Sequence, residues 1–355
     1  MGISQLYCGA GKYRMKDRFE TVKEIDVSSF FEKSDPGLSE MDVLIANTLE
    51  TDGAFVATGF SASDQLEQAM TDVMRFFDLP LKTKMGCAVK TYEPSNPNTY
   101  RGYYPLPEVS DWTHKEYFDI GPQPPMEIPN IPGGASFCES NVWPEEEDLP
   151  NWQSQMLGQL QGLRDITCVL MTAIARGLDL DPKPFTNISA GRNASMRLLS
   201  RPVLTDLSKT ENVSGENGHF LKNLEILPDG RQIVTASHVD ENLLSILWQS
   251  SAGGLQMQSR DRTWKEVYPK PGTLSVHCGT LLAPLTKDRL IGTPHRVASD
   301  GTYRTSMGHF LEPGYETNVR APDSGQSVTY AQHLVNLFPD RFTEPQVVQA
   351  LKADQ

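Results

Sequence analysis

Three fragments decide the reading of this chain: Ser237-His238-Val239-Asp240, Pro294-His295-Arg296-Val297 and Arg304-Thr305-Ser306. Residues two apart in an extended strand point to the same face, so His238 and Asp240 can grip one ion from a single strand end. Arg304 and Ser306, spaced the same way, set a guanidinium beside a hydroxyl. His295 lies far enough downstream for several antiparallel strands and a return to the same mouth. Two imidazoles and one carboxylate form a three-ligand face that leaves coordination positions open, a donor set suited to a reactive Fe(II) centre. An arginine fork beside a hydroxyl is built to hold a carboxylate. His238, Asp240 and His295 are therefore the candidate metal-binding and catalytic residues, and Arg304 and Ser306 the candidate anion-binding pair. A buried histidine, a turn aspartate and a surface arginine of purely structural use would have to explain five residues at once.

Around these fragments, residues 185–315 read as short β-rich runs separated by turn residues: Met196 to Leu199, Leu224 to Leu227, Ile233 to Ala236, Leu243 to Trp248, Leu255 to Gln258, Thr273 to His277 and Tyr303 to Phe310. Many short strands with Gly, Pro and Asp-Gly breaks predict a jelly-roll sandwich or barrel, and Pro228-Asp229-Gly230 marks a hairpin just ahead of the metal motif. Upstream, Glu24 to Val27 and Ala54 to Ala57 predict strands, and a helix opened by Leu38-Ser39-Glu40 and running through about Leu49, with a second over Leu66 to Phe77, is predicted. Trp152, Met156, Leu160, Leu163, Ile166, Leu170 and Ile174 fall at helical spacing and predict a long bracing helix over about 151–177. The expected organisation is an irregular lead-in over 1–23, a helix-rich N-terminal region over 24–180, the β core over 185–315, and C-terminal helices over 316–355. That makes a mixed α/β (α+β) protein, a jelly-roll core braced by helices.

The chain of 355 residues with 38% hydrophobic content is ample for a large buried core. No apolar run approaches the roughly 20 residues of a membrane span, and the start of the chain lacks the basic-then-apolar order of a signal peptide, so the expected compartment is the cytoplasm. The five cysteines are scattered without Cys-x-x-Cys spacing, which argues against a disulfide framework and a zinc site. A formal charge of -13 disfavours nucleic acid and anionic membranes, which need clustered Lys and Arg. The expected partner is a small-molecule substrate. Oligomeric state is not encoded in any pattern of the sequence.

The same fragments extend into a longer order: His238 to Ser250, Gly254-Leu255-Gln256, Pro271-Gly272-Thr273-Leu274, Thr293 to Val297, and Arg304-Thr305-Ser306. Together with Asp52-Gly53-Ala54-Phe55, Arg101-Gly102-Tyr103 and Lys115 to Asp119, this order resembles the Fe(II)- and 2-oxoglutarate-dependent oxygenases of the isopenicillin N synthase-like family, over about residues 24–315. The resemblance implies a double-stranded β-helix core with iron on His238, Asp240 and His295. It implies 2-oxoglutarate held by Arg304 and Ser306, O2 as co-substrate, and decarboxylation to succinate coupled to hydroxylation, desaturation or cyclisation of a metabolite, as in secondary metabolism. Where many relatives carry Arg-x-Asn-x-Tyr-Pro, this chain has Arg197-Leu198-Leu199-Ser200-Arg201-Pro202. Arg197 is therefore a candidate co-substrate binder, and Arg201, Arg101, Tyr103, Tyr104 and Tyr117 are candidate substrate residues. Two alternatives stand beside this reading: a 2-oxoglutarate-independent oxidase of the isopenicillin N synthase kind, and a non-catalytic ligand-binding scaffold.

Overall fold

Ser39 opens the first long helix by a reciprocal cap: its hydroxyl accepts from the Asp42 N–H (3.3 Å) and the Asp42 carboxylate accepts from the Ser39 N–H (2.9 Å). Gly53, in the left-handed region at φ 70, closes the same helix by donating its N–H to Leu49 and turns the chain directly into a strand. In this computed structural model, the residues described are 19–31, 39–106, 115–128, 138–190, 193–203, 225–320, 325 and 327–337. The main helices are α1 (Glu40–Asp52), α2 (Leu66–Met74), α3 (Leu81–Gly86), α4 (Trp152–Gly177), α5 (Pro182–Ala190), α6 (Leu282–Leu285) and α7 (Tyr330–Leu337).

Two sheets stack face to face. The larger holds β2 (Glu24–Asp26), β3 (Ala54–Thr58), β11 (Leu274–Cys278), β8 (Leu244–Gln249), β13 (Arg304–Leu311), β6 (Ala194–Arg201), β5 (Glu116–Ile120) and β4 (Gly102–Tyr104), in that spatial order. The smaller runs β1 (Glu20–Thr21), β10 (Trp264–Glu266), β9 (Leu255–Gln258), β12 (His295–Ser299) and β7 (Gln232–His238). Period-two alternation sorts the side chains of the large sheet onto its two faces. In β3, Ala54 and Val56 turn inward to Val234, Met257 and Val297 of the small sheet. Phe55 and Ala57 turn outward to the helices. In β8, Leu247 faces the small sheet and Ile246 the helices.

The outward face is covered by α1, α2 and α4. Trp152, Met156, Leu160, Leu163, Ile166, Leu170 and Ile174 of α4 are all buried, as their spacing predicts. Arg176 of α4 forks onto the fully buried Asp42 of α1 at 2.9 and 3.1 Å, fixing the two helices to one another.

Several expectations need correction. The division near residue 180 does not divide the sheets: β2 and β3 form one edge of the large sheet, and β4 and β5 the other, so strands from the N-terminal region flank the β core on both sides. The lead-in over 1–23 ends in a strand, with Glu20 and Thr21 paired in parallel to Lys265 and Glu266. The run ending at Leu227 makes only an isolated bridge, Ile226 to Gln232, because the Pro228-Asp229-Gly230 turn follows at once and ties Gly230 N–H to Leu227. Helices α3 and α5 and strand β10 gave no clear periodic signal, being short. Of the C-terminal helices expected over 316–355, one is α7, and residues 338–355 lie outside the described residues.

Candidate metal centre and its two cavities

β7 runs out at His238 and β12 begins at His295, and these two residues face each other across the strand pair. Asp240 follows just past the end of β7. The two imidazole rings lie 4.1 Å apart, centroid to centroid. His238 Nε2 stands 3.9 Å and His295 Nε2 3.8 Å from Asp240 Oδ1, and the three ligand atoms all lie within 4.8 Å of one another.

The remaining atoms of all three side chains are engaged elsewhere. His238 Nδ1 sits 2.9 Å from the Ala236 carbonyl and His295 Nδ1 3.2 Å from the Thr293 carbonyl. A carbonyl only accepts, so each Nδ1 carries the proton and each Nε2 turns a lone pair toward Asp240. Asp240 Oδ2 accepts from the Ser245 hydroxyl (2.6 Å) and from His277 Nε2 (3.0 Å). That leaves Oδ1 as the oxygen turned to the two histidines. His277, in the middle of β11, is fully buried with its ring 4.5 Å from that of His295.

Charge follows the same plan. Burial works to raise the Asp240 pKa, yet His295 and the hydrogen bonds from His277 and Ser245 hold it well below the usual carboxylate range. Burial pushes His295 down to about 4 against the pull of Asp240, and burial followed by His295 lowers His238. Two neutral imidazoles and an ionised carboxylate are the protonation state a divalent ion requires. The donor set, its orientation and its charge all fit Fe(II).

Arg304 and Ser306 stand on β13, their side chains turned to the interior. The Arg304 guanidinium donates to the Gly253 carbonyl (2.7 Å), the Ser306 hydroxyl (2.7 Å) and Gln249 Oε1 (3.3 Å), all neutral. Burial and then the nearby Arg201 push its pKa down to about 9. Arg201 lies opposite Arg304 in the strand register and donates to the Val234 carbonyl (3.0 Å) and the Thr235 hydroxyl (3.2 Å).

Two cavities meet at the histidine pair. The inner one, about 140 Å³, is lined by Arg304, Ser306, Arg201, Leu199, His295 and Trp248 among others. The outer one, about 510 Å³, is lined by Arg101, Tyr100, Glu312, Tyr315, Tyr330 and Leu334 among others. His238, Asp240, Thr235, Lys115, Arg197 and Phe310 line both.

The other sequence candidates divide. Arg101 lines the outer cavity and Arg201 the inner. Tyr103 is in neither: it is almost fully buried, and its hydroxyl donates to Glu116 (2.6 Å), which also takes Lys84 (2.8 Å). Tyr104 and Tyr117 stack on each other at 4.2 Å behind the wall rather than in it. Arg197, expected to hold the co-substrate, instead spends its fork on Asp119 with two contacts of 2.6 Å and lies over the Tyr117 ring at 4.4 Å. It is a pillar between the cavities, its charge already met. The sequence candidates do not include His277, the partner of Asp240, or Ser245, Gln249 and Gly253. A polar residue at an inward position of a predicted strand is the signal that would have singled out His277 and Ser245.

Comparison with known proteins agrees with this site. Residues 219–313 match the 2OG-Fe(II) oxygenase superfamily model, and residues 22–146 match the model for the N-terminal region of non-haem dioxygenases in morphine synthesis. The chain is 26% identical to isopenicillin N synthase of Streptomyces clavuligerus over 307 residues, 84% of this chain and 86% of that protein. It is 23% identical to the 2-oxoglutarate-dependent ethylene/succinate-forming enzyme of Ralstonia nicotianae, covering 87% of this chain and 90% of that protein. A full-length Neurospora crassa protein crystallised in complex with alpha-KG superposes with a TM-score of 0.68 at 22% identity, over 91% of this chain and 98% of that one. With both family models matched on either side of the bracing helix and the three-ligand centre in place between the sheets, the chain belongs to the 2OG-Fe(II) oxygenase superfamily, as an isopenicillin N synthase-like non-haem dioxygenase.

Proposed function

We propose that the protein oxidises a small-molecule metabolite by hydroxylation, desaturation or cyclisation, with Fe(II), 2-oxoglutarate and O2, releasing succinate and CO2. The observation that carries this reading is the split of Asp240: Oδ2 is taken by Ser245 and His277, while Oδ1 shares its space with two imidazole nitrogens. His238, Asp240 and His295 would hold the iron, and Arg304 with Ser306 would hold the distal carboxylate of 2-oxoglutarate. When bound, iron and 2-oxoglutarate supply O2 activation and two of the four electrons that reducing O2 takes, the substrate supplying the other two.

The protein's part is placement. Holding Asp240 by one oxygen keeps it from claiming a second coordination position. The inner cavity, bounded by Leu199, Leu255, Val297 and Trp248, keeps water from the Arg304 site and so strengthens its hold on an anion. The outer cavity admits the substrate to the face where His238 is open, and the Arg197–Asp119 pillar stands where the two cavities join. The negative net charge favours a free metabolite over a nucleic acid, and among the described residues no helix is long and apolar enough to cross a membrane. A cytoplasmic setting suits iron kept reduced.

Succinate release measured with each of Fe(II), 2-oxoglutarate and O2 omitted in turn tests the reading. Release that needs all three supports it, and His295→Ala is expected to abolish it. Substrate oxidation that continues without 2-oxoglutarate would mark the protein as an oxidase of the isopenicillin N synthase kind.

A further inference from the structure

Every second residue of β13 faces the interior, and in chain order these are Arg304, Ser306, Gly308 and Phe310. Strand pairing sets each in a row across the large sheet: Arg304 beside Arg201, Ser306 between Leu199 and Gln249, Gly308 between Arg197 and Leu247, and Phe310 between Ser195 and Ser245. The first two rows belong to the inner cavity, and the fourth reaches Asp240 through the Ser245 hydroxyl. Gly308 is thus the inward place of β13 without a side chain, and it lies between the anion site and the metal ligands.

The ring of Phe310 uses the room that this glycine leaves. A Cβ at Gly308 would sit 2.7 Å from Phe310 Cζ, 3.0 Å from its Cε2 and 3.0 Å from Leu247 Cδ2. Carbon atoms in contact stand about 3.5–4.0 Å apart, so the far edge of the ring occupies the space a side chain at 308 would take. The ring therefore leans back along β13, and it lines both cavities. Leu247 stands on one flank of this notch; on the other is Arg197, clamped to Asp119 by two contacts of 2.6 Å. A ring displaced from the notch has only one way to go, outward into the join of the cavities beside His238 and Asp240. Gly308 lies within a strand and outside the left-handed region. Backbone conformation does not call for glycine there, whereas the close approach of Phe310 does.

We infer that Gly308 is a positioning residue that sets specificity: by letting Phe310 lie back along β13 it fixes the clearance over the metal ligands, and with it the bulk a substrate can carry at the carbon to be oxidised. A clearance of this kind serves a ring carbon or a branched carbon, whereas the tip of a slim chain would not need it. The inference rests on the oxygenase reading above and adds to it the steric class of the substrate.

The experiment uses the full chain loaded with 2-oxoglutarate and with Co(II), whose visible bands report its coordination. It is titrated with imidazole and with 4-phenylimidazole, neutral donors for an open metal position that differ in bulk. The wild type is expected to bind both. Gly308→Ala should weaken 4-phenylimidazole by about tenfold or more, as crowding a packed site does, and leave imidazole within about threefold. Taking the ring away as well, in the double variant Gly308→Ala with Phe310→Ala, should restore 4-phenylimidazole binding, which a general loosening of the strand would not do. Phe310→Trp on the native glycine sets a larger ring over the same notch and does not depend on Gly308→Ala folding; it too should weaken 4-phenylimidazole selectively. A wild type that excludes 4-phenylimidazole, equal weakening of both azoles in either single variant, unchanged binding in Gly308→Ala, or no recovery in the double variant would overturn the inference. Failure to load Co(II) and 2-oxoglutarate would overturn the oxygenase reading instead, which separates the two.

Discussion

At the scale of single residues, the hydrogen bond from His277 to Asp240 has a measurable consequence. Outer partners of metal ligands contribute about ten- to a hundredfold in affinity. His277→Leu is therefore expected to weaken Fe(II) binding by roughly tenfold or more in an anaerobic titration, with His277→Gln recovering part of the loss because its amide can still donate. Equal affinity in His277→Leu would show that Ser245 alone orients the carboxylate. Arg304 gives a second expectation: with a buried charge-assisted contact removed, Arg304→Ala should raise the KM for 2-oxoglutarate by about ten- to a hundredfold. An unchanged KM would place the co-substrate elsewhere. The candidate ligands could be singled out because His-x-Asp and Arg-x-Ser each place two side chains on one strand face. Their outer partners could not, since Ser245, Gln249, Gly253 and His277 come from β8, the turn after it and β11, and only strand pairing brings them to Asp240 and Arg304.

At the scale of elements, two of the polar contacts of α4 give measurable consequences. The Arg176–Asp42 pair joins α4 to α1, and Asp42 is also the cap partner of Ser39. Leaving Arg176 without its partner and the helix without its cap box should cost Asp42→Ala about 3 kcal/mol or more in urea unfolding. A loss under about 1 kcal/mol would show the pair to be dispensable. The other contact joins α4 to β13, where Thr167 Oγ1 lies 3.3 Å from His309 Nδ1. Burial, followed by the Arg164 charge, pushes His309 from its usual value of 6.5 down to about 3. A depressed histidine stays neutral in the folded chain while the unfolded chain takes up a proton. Stability is therefore lost as pH falls from about 6.5 toward about 3, by on the order of 1 kcal/mol per unit. His309→Leu should lose less stability than the wild type between pH 6.5 and pH 4; parallel stability profiles would contradict this.

The periodicity that revealed α4 is long and unbroken, which is why its seven apolar positions could be read directly and proved buried. Strands β4 and β5 could not be placed the same way. Gly102–Tyr104 and Glu116–Ile120 are too short for a firm pattern, and their place beside β6 is a tertiary fact. The same limit misassigned Tyr103, whose aromatic neighbours suggested a pocket but whose hydroxyl is buried on Glu116.

At the scale of the whole molecule, the candidate iron ligands belong to the small sheet and the turn after β7, whereas Arg304 and Ser306 belong to the large sheet. A metal and a co-substrate bound together would therefore bridge the two layers. Ligands that bind only the folded state stabilise it by mass action, about 2.7 kcal/mol at a hundred times Kd for one site. Mn(II) as an iron surrogate and 2-oxoglutarate, added together, should raise Tm by more than the sum of their separate shifts. Simple additivity would argue that the two sites are independent. The jelly-roll class was readable from the run of short β segments, while the supply of four flanking strands from the N-terminal region was not, because that pairing depends on the closed topology rather than on any local signal.

The most direct test of the central claim is an anaerobic titration of the protein with Fe(II) and 2-oxoglutarate, followed by visible absorption. The account predicts a weak charge-transfer band that saturates in the wild type, is absent in His295→Ala, and needs far more 2-oxoglutarate in Arg304→Ala. A wild-type protein that shows no such band, or a band unaltered by His295→Ala, would contradict it.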